Sequence, residues 1–255
     1  MKPILFNTDI VRAILEGRKT VTRRVVKLAN SCWNLDGLEL DVAMAKVRKD
    51  GTEHLVDMTG LWAVFEDTDG LIEYPMIKAP YCPGEILYVR ETFRIDYLSN
   101  IPGTGHIHYK ADGSYSDFSF MPERYEMMRR AQLKPGWRPN ENMPREAARI
   151  FLRVTDVRVE RLQNITEAGA VKEGFEAILC NHPGGYPCTD CMNTGYLEPA
   201  MLGFVDTWNS TIKPSDRAIY GWDANPWVWV IQFERCERPK EVCPHGGAGE
   251  GGRLT

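Results

Sequence analysis

No uninterrupted apolar run in this chain approaches the roughly 18 residues that a membrane-spanning helix needs, and the N-terminal stretch lacks the apolar core of a signal peptide. The expectation is a cytoplasmic protein with no membrane partner. Surplus charge is missing too: 31 Lys and Arg against 35 Asp and Glu leave a formal net charge of −4, which excludes gripping nucleic acid by bulk charge. Seven cysteines form an odd, irregularly spaced set, so reduced thiols or a metal are better readings than a disulfide framework. Histidine is scarce, and no His-rich or carboxylate cluster of the kind a catalytic zinc needs accompanies the cysteines. Internal repeats are absent, and strands do not alternate regularly with helices.

What the chain does hold is concentrated local charge. Residues 18 to 27 carry five cations and no acid, and residues 124 to 153 carry eight cations against three acids, enough to grip a polyanion locally. A solvated basic face is the competing reading, more so for the second segment. The densest motif is Gly17-Arg18-Lys19-Thr20-Val21-Thr22-Arg23-Arg24, with two hydroxyls and four cations. Upstream of it, Thr8 to Glu16 reads as a helix capped by Thr8 or Asn7, with Ile10, Val11, Ile14 and Leu15 as its apolar stripe and Gly17 as its left-handed stop. From Val21 the β-branched residues argue for a strand. Its period of two puts Thr22 and Arg24 on one face and Arg23 and Val25 on the other. Lys19 joins the Thr22 face only from the turn before the strand.

Further along, residues 29 to 80 mix short apolar runs with turn signals at Asp36-Gly37, Asp50-Gly51 and Asp69-Gly70, which predicts hairpins. Glu85 to Thr92 and residues 106 to 110 read as strands, Met121 to Leu133 as a helix with Pro122 in its first turn, and Lys134 to Pro144 as a loop. Arg149 to Leu162 reads as a strand pair or one long bent strand: Ile150, Leu152 and Val154 share a face, and Val157 and Val159 continue after Asp156. Asn164 with Glu167 resembles a capping box opening a helix that runs to Glu173, before Gly174. A helix over about Pro199 to Ile212 would turn Leu202, Val205, Trp208 and Ile212 inward. Pro226 to Glu234 is apolar on both faces, as a central strand is. The Gly-rich stretch 244–255 is expected to be disordered. Many strands with a few helices predict one α+β domain over residues 1–243, built on a small β-barrel.

Several of these blocks together carry a resemblance. Gly17 to Arg24, Gly84-Glu85-Ile86-Leu87-Tyr88-Val89-Arg90-Glu91, Val154 to Gly174, Met143-Pro144-Arg145 and Asn225-Pro226-Trp227-Val228-Trp229-Val230 resemble an ASCH domain of the long type often encoded by phages and prophages. The resemblance implies a PUA-like β-barrel associated with RNA, with residues 29–80, 95–140 and 176–199 as insertions. The small bacterial member of that superfamily is an amidohydrolase that removes the acetyl group of N4-acetylcytidine, which implies a catalytic trio of Lys19, Thr22 and Glu173. This chain is more than twice as long, and other ASCH proteins are ribonucleases or binders.

Amide hydrolysis requires a nucleophile, a base and something to hold the oxyanion. Crowding by Arg18, Arg23 and Arg24, together with desolvation, would disfavour the Lys19 ammonium and leave an amine able to act as base or nucleophile. Glu173 would shuttle a proton, and Arg24 would hold an oxyanion or a phosphate. Both Lys19 and Glu173 are expected to be solvent-reachable. Arg18, Arg23, Arg24, Tyr88, Arg90, Glu91 and Trp227 are the candidate substrate contacts; Tyr88 and Trp227 would stack on a base, with core packing as the competing reading for aromatics.

Cys180, His182, Cys188 and Cys191 have the softness and spacing of a tetrahedral zinc site, half of a zinc knuckle; unligated thiols are the alternative. Cys32, Cys82 and Cys236 read as packing residues. The functional expectation is a hydrolase acting on an N4-acylated cytidine or related nucleobase, free or in RNA. The alternatives are a module that binds RNA or a modified base without turnover, and a ribonuclease using the same pocket.

Overall fold

The structure, a computed structural model, describes residues 1–28, 34–49, 52–66, 76–101, 103–176 and 200–239. The elements run β1 (Lys2–Leu5), α1 (Thr8–Leu15), β2 (Val21–Val25), β3 (Asn34–Lys49), β4 (Thr52–Glu66), β5 (Met76–Lys78), β6 (Ile86–Arg90), β7 (Phe93–Ser99), β8 (Thr104–Tyr109), β9 (Tyr115–Ser119), α2 (Tyr125–Gln132), β10 (Phe151–Arg161), α3 (Glu167–Lys172), α4 (Ala200–Thr211), α5 (Arg217–Tyr220) and β11 (Trp227–Cys236). Five strands form the main sheet in the order β1-β6-β10-β11-β2, with β1 parallel to β6 and the other pairs antiparallel. The fold is α+β, as expected. The expected closed barrel is absent among the described residues: β1 and β2 are the free edges of an open sheet. A side chain, not a hydrogen-bond ladder, reaches between those edges, for Arg24 donates from Nη2 to the Leu5 carbonyl at 3.2 Å.

Two three-stranded sheets, β3-β4-β5 and β7-β8-β9, stand outside this ladder. Asp36-Gly37 makes no turn. It lies inside β3, where the register against β4 slips between Leu35 and Gly37, so the extra residue is absorbed as a bulge. The remaining turn signals of that region, Asp50-Gly51 and Asp69-Gly70, lie outside the described residues, as do Cys32, Cys243 and the stretch 244–255.

The main core packs Ile4, Phe6, Val11, Ile14, Leu87, Val89, Ile150, Leu152, Val154, Val157, Val159, Trp229, Ile231 and Phe233 together. Two parities of β10 meet in that single cluster. Residues 150, 152 and 154 are even and residues 157 and 159 odd, and a register shift between Val154 and Asp156 inserts the one residue that keeps both runs on the same face. β11 is apolar on both sides because it lies between β10 and β2: Trp229, Ile231 and Phe233 face the main core, while Val228 and Val230 face a second cluster with Val21, Leu162, Phe204 and Trp208.

Helix boundaries follow local chemistry, with two corrections. The Asn7 side chain caps α1 by accepting from the Ile10 amide, and Gly17 follows at φ +77°. The cap of α3 is Thr166, whose side chain accepts from the Gly169 amide, and Asn164 instead closes a 3₁₀ turn over Leu162–Asn164. Glu167 is thereby released from a capping box and reaches another helix: its carboxylate accepts from the Ala200 and Met201 amides that open α4, at 2.5 and 3.2 Å. In α4 the buried residues are Ala200, Phe204 and Trp208, with Val205 and Ile212 packed partly against them; Leu202 points outward, half exposed.

Candidate active site

The basic motif and the end of α3, about 150 residues apart in sequence, are joined by a main-chain bond. The Thr20 amide donates to the Lys172 carbonyl at 2.9 Å, while the Lys19 amide ties the motif back to α1 by donating to the Ala13 carbonyl at 3.0 Å. Glu173 caps α3, and Gly174 leaves the helix at φ +99°, a conformation only glycine takes without strain. A Cβ at 174 would also lie 2.8 Å from the Ala13 Cβ and 3.2 Å from the Lys19 Cβ. The close approach of Lys19 to Glu173 therefore depends on that glycine.

Lys19 Nζ donates to Glu173 Oε2 at 2.5 Å and to the Glu173 carbonyl at 2.8 Å. Arg23 holds the other carboxylate oxygen, Nη1 to Oε1 at 3.2 Å, and sends Nη2 to Glu160 on β10 at 2.7 Å. The result is a buried chain of alternating charge, Lys19, Glu173, Arg23, Glu160. Lys19, Thr22, Arg23 and Glu173 keep 3%, 2%, 5% and 4% of their exposure. The solvent-reachable Lys19 and Glu173 of the sequence reading are thus corrected: both are enclosed, because α3 ends directly over the turn that carries Lys19.

Burial pushes the Lys19 amine below its ordinary value of 10.5; Glu173 opposes that shift, and Arg24 and Arg23 add to it slightly. Desolvation therefore outweighs the cationic crowding expected from sequence. Arg18 takes no part, being tied to Glu16, Glu176 and the Gly174 carbonyl.

Lys19, Thr22, Arg23, Arg24 and Glu173 all line one cavity of about 310 Å³. Strand alternation in β2 is respected, yet both faces serve this cavity. Arg24 lies over the Phe6 ring at 5.5 Å, beside the main core, and Arg23 over the Phe204 ring at 5.9 Å, on the second core. An edge strand permits this, since a cavity at its open side is reached from above and below. The rest of the wall is mostly apolar: Phe6 and Ile10, then Phe175, Phe204, Trp208 and Ile212, with the hydroxyls of Thr207 and Thr211 among them. Thr22 lines the cavity, and its hydroxyl donates no hydrogen bond to another described residue.

The other sequence candidates lie elsewhere. Tyr88 is buried with Ala148 and Phe151, and Arg90 lies over its ring while donating to the Glu141 carbonyl. Glu91 is not a cavity floor. It is clasped by Arg149, whose Nε and Nη2 each donate at 2.8 Å while Nη1 reaches Asp112, and burial raises the Glu91 carboxyl above its ordinary range. Trp227 packs edge-on against Phe65 with the Arg161 guanidinium 4.3 Å from its ring centre. Cys82 and Cys236 sit against apolar clusters. Cys180, His182, Cys188 and Cys191 lie outside the described residues, and no cluster of three or more metal-ligating side chains occurs among the described ones.

Sequence reasoning missed the cavity's aromatic wall and Glu160. Phe204 and Trp208 show the spacing of a buried helix face, which does not distinguish core from cavity lining, and Glu160 carries no motif. No family model, curated protein or solved structure matches the chain. No helix among the described residues is long and apolar enough to cross a membrane.

Proposed function

We propose that this cavity hydrolyses an amide on a nucleobase, with an N4-acylated cytidine, free or within RNA, as the substrate type. One observation carries the reading: an amine and a carboxylate 2.5 Å apart, both nearly sealed from water, line a single cavity together with the threonine at position 22. A pair at that distance can exchange a proton without moving heavy atoms. Passing its proton to Glu173 leaves Lys19 as a neutral amine, which burial already favours. That amine takes a proton from the nucleophile, either a water held by the Thr22 hydroxyl or the hydroxyl itself, in which case a water then hydrolyses the acyl-threonine. Glu173 then delivers its proton to the departing exocyclic amine. Arg23 fixes Oε1 of Glu173 and so keeps Oε2 toward Lys19. The aromatic wall supplies flat apolar surface for a base, where stacking is worth about 1–3 kcal/mol per base. The reading agrees with the ASCH-type amidohydrolases that the sequence blocks resemble.

The test is incubation of the purified chain with N4-acetylcytidine, following release of cytidine. Turnover lost in Lys19→Ala, Thr22→Ala and Glu173→Gln supports the reading; turnover that survives Glu173→Gln overturns the proton route. A second reading, a pocket that binds a modified base without turnover, draws on the same salt bridge, because both charges are already satisfied by protein. It predicts saturable binding of N4-acetylcytidine with no cytidine formed.

A further inference from the structure

Three cations line the cavity, and among the described residues only two of them have a carboxylate at ion-pair distance. Lys19 and Arg23 share Glu173, and Arg23 is matched again by Glu160. Arg24 has no carboxylate within ion-pair distance among the described residues. Its guanidinium gives one N–H to the Arg23 carbonyl and one to the Leu5 carbonyl, each at 3.2 Å, and rests on the Phe6 ring. An arginine carries five N–H donors, so three remain. Burial works against its charge, and the Glu173 carboxylate, beyond ion-pair distance, offsets that only in part. A guanidinium that is partly desolvated and unmatched is costly to keep, and an incoming anion both recovers that cost and uses the spare donors in the forked geometry that phosphate fits.

Position narrows the anion further. Lys19, Thr22 and Glu173 are almost wholly buried, whereas Arg24 keeps intermediate exposure, which places it toward the opening with the aromatic residues Phe175, Phe204 and Trp208 forming other parts of the wall. At about 310 Å³ the cavity is at the small end of ligand sites, suited to one nucleoside-sized group. We infer that the cavity takes a phosphorylated pyrimidine nucleotide, with its base inside and its phosphate on Arg24, in preference to an uncharged nucleoside. This inference rests on the nucleobase reading for the ligand's inner half; the phosphate half rests on Arg24 alone.

Calorimetric titration of the full chain with cytidine, cytidine 5′-monophosphate and inorganic phosphate tests it, and being a binding measurement it is independent of turnover. The 5′-monophosphate is expected to bind about ten- to a hundredfold tighter than cytidine, since a hydrogen bond to a charged group contributes about 1.5–3 kcal/mol. Inorganic phosphate should compete with it. In Arg24→Gln the ratio of nucleotide to nucleoside affinity should fall to about one, and Arg24→Lys should keep part of the preference. Melting curves of both variants show whether each is folded. Equal affinity for nucleoside and nucleotide, a preference that persists in folded Arg24→Gln, or the absence of binding by all three probes overturns the inference. Phosphate binding that Arg24→Gln abolishes, without any binding of cytidine, retains the anion site and removes the nucleobase reading instead. The dinucleotide ApC, which offers only a backbone phosphate 5′ to cytidine, distinguishes the phosphate's source: affinity matching the monophosphate assigns a strand, and weaker affinity assigns a free nucleotide.

Discussion

Arg23 stands between two carboxylates, 3.2 Å from Glu173 through Nη1 and 2.7 Å from Glu160 through Nη2, and so connects a strand residue of the main sheet to the end of α3. Glu160 neither bonds Lys19 nor itself lines the cavity, so it acts through Arg23 as a positioning residue. Glu160→Gln removes one negative charge from the chain of alternating charges and makes the Lys19 ammonium still less favourable. The alkaline limb of the pH–rate profile, where the Lys19–Glu173 pair loses its shared proton, should then move to lower pH. A variant that merely loosens the fold lowers the whole profile and leaves that limb in place.

Breaking the Lys19–Glu173 pair from one side leaves an enclosed charge with fewer partners. Lys19→Met and Glu173→Gln should each lower stability by about 3 kcal/mol or more, because loss of one member of a buried ion pair costs far more than an exposed one. The double variant should cost clearly less than the sum, with a coupling of about 0.5–3 kcal/mol, and all three should be inactive. Denaturant melts of the four proteins measure this; strictly additive losses would contradict the pairing.

Glu167 opens α4 by accepting two of its first amides, and α4 carries Phe204 and Trp208 into the cavity wall. Glu167→Ala should cost about 1 kcal/mol of stability as a lost cap. Its kinetic signature should be a raised KM with kcat little changed, since the wall moves and the Lys19–Glu173 pair does not. Steady-state rates across substrate concentration check this, and an equal fall in kcat would contradict it.

Asp112 gives a pH prediction with a definite sign. Burial alone would raise its carboxyl, but hydrogen bonds from Arg149 and Ser114 outweigh that and hold it at about 2, against an ordinary value of 3.8. A carboxyl depressed in the folded state contributes stability that is fully present above its unfolded value and is lost as pH falls through the folded one. The stability difference between the natural chain and Asp112→Asn should therefore be constant above pH 5 and shrink between about pH 4 and 2. A difference that stays constant down to pH 2 would show that the ion pair with Arg149 adds nothing.

Short-range features were legible wherever one residue's chemistry decided them. Asn7 and Gly17 bound α1, and the two-sided apolar pattern of β11 required a central position. Where two residues offered the same chemistry, sequence chose wrongly: Asn164 and Thr166 are both competent caps, and the fold uses Thr166 because Leu162 must turn into the core first. Asp36-Gly37 has turn composition, but the pairing of β3 with β4 on both sides of it carries the strand through, with the extra residue as a bulge. Among the site candidates, residue type brought Lys19, Thr22, Arg23, Arg24 and Glu173 to notice. It also brought Arg18, Tyr88, Arg90, Glu91 and Trp227, which the fold spends on ion pairs and packing away from the cavity.

By itself the sequence determined the periodicities, and hence which faces of β10, β11 and α1 are apolar, along with the cations and hydroxyls carried by the turn before β2. Only the tertiary structure decided that the main sheet stays open between β1 and β2, that both faces of β2 reach one cavity, and that the amine at position 19 is sealed against the carboxylate at 173. Periodicity is a local property, set by backbone geometry over a few residues. Enclosure and ion pairing depend on which distant segments meet, and those contacts are selected by the packing of the whole core.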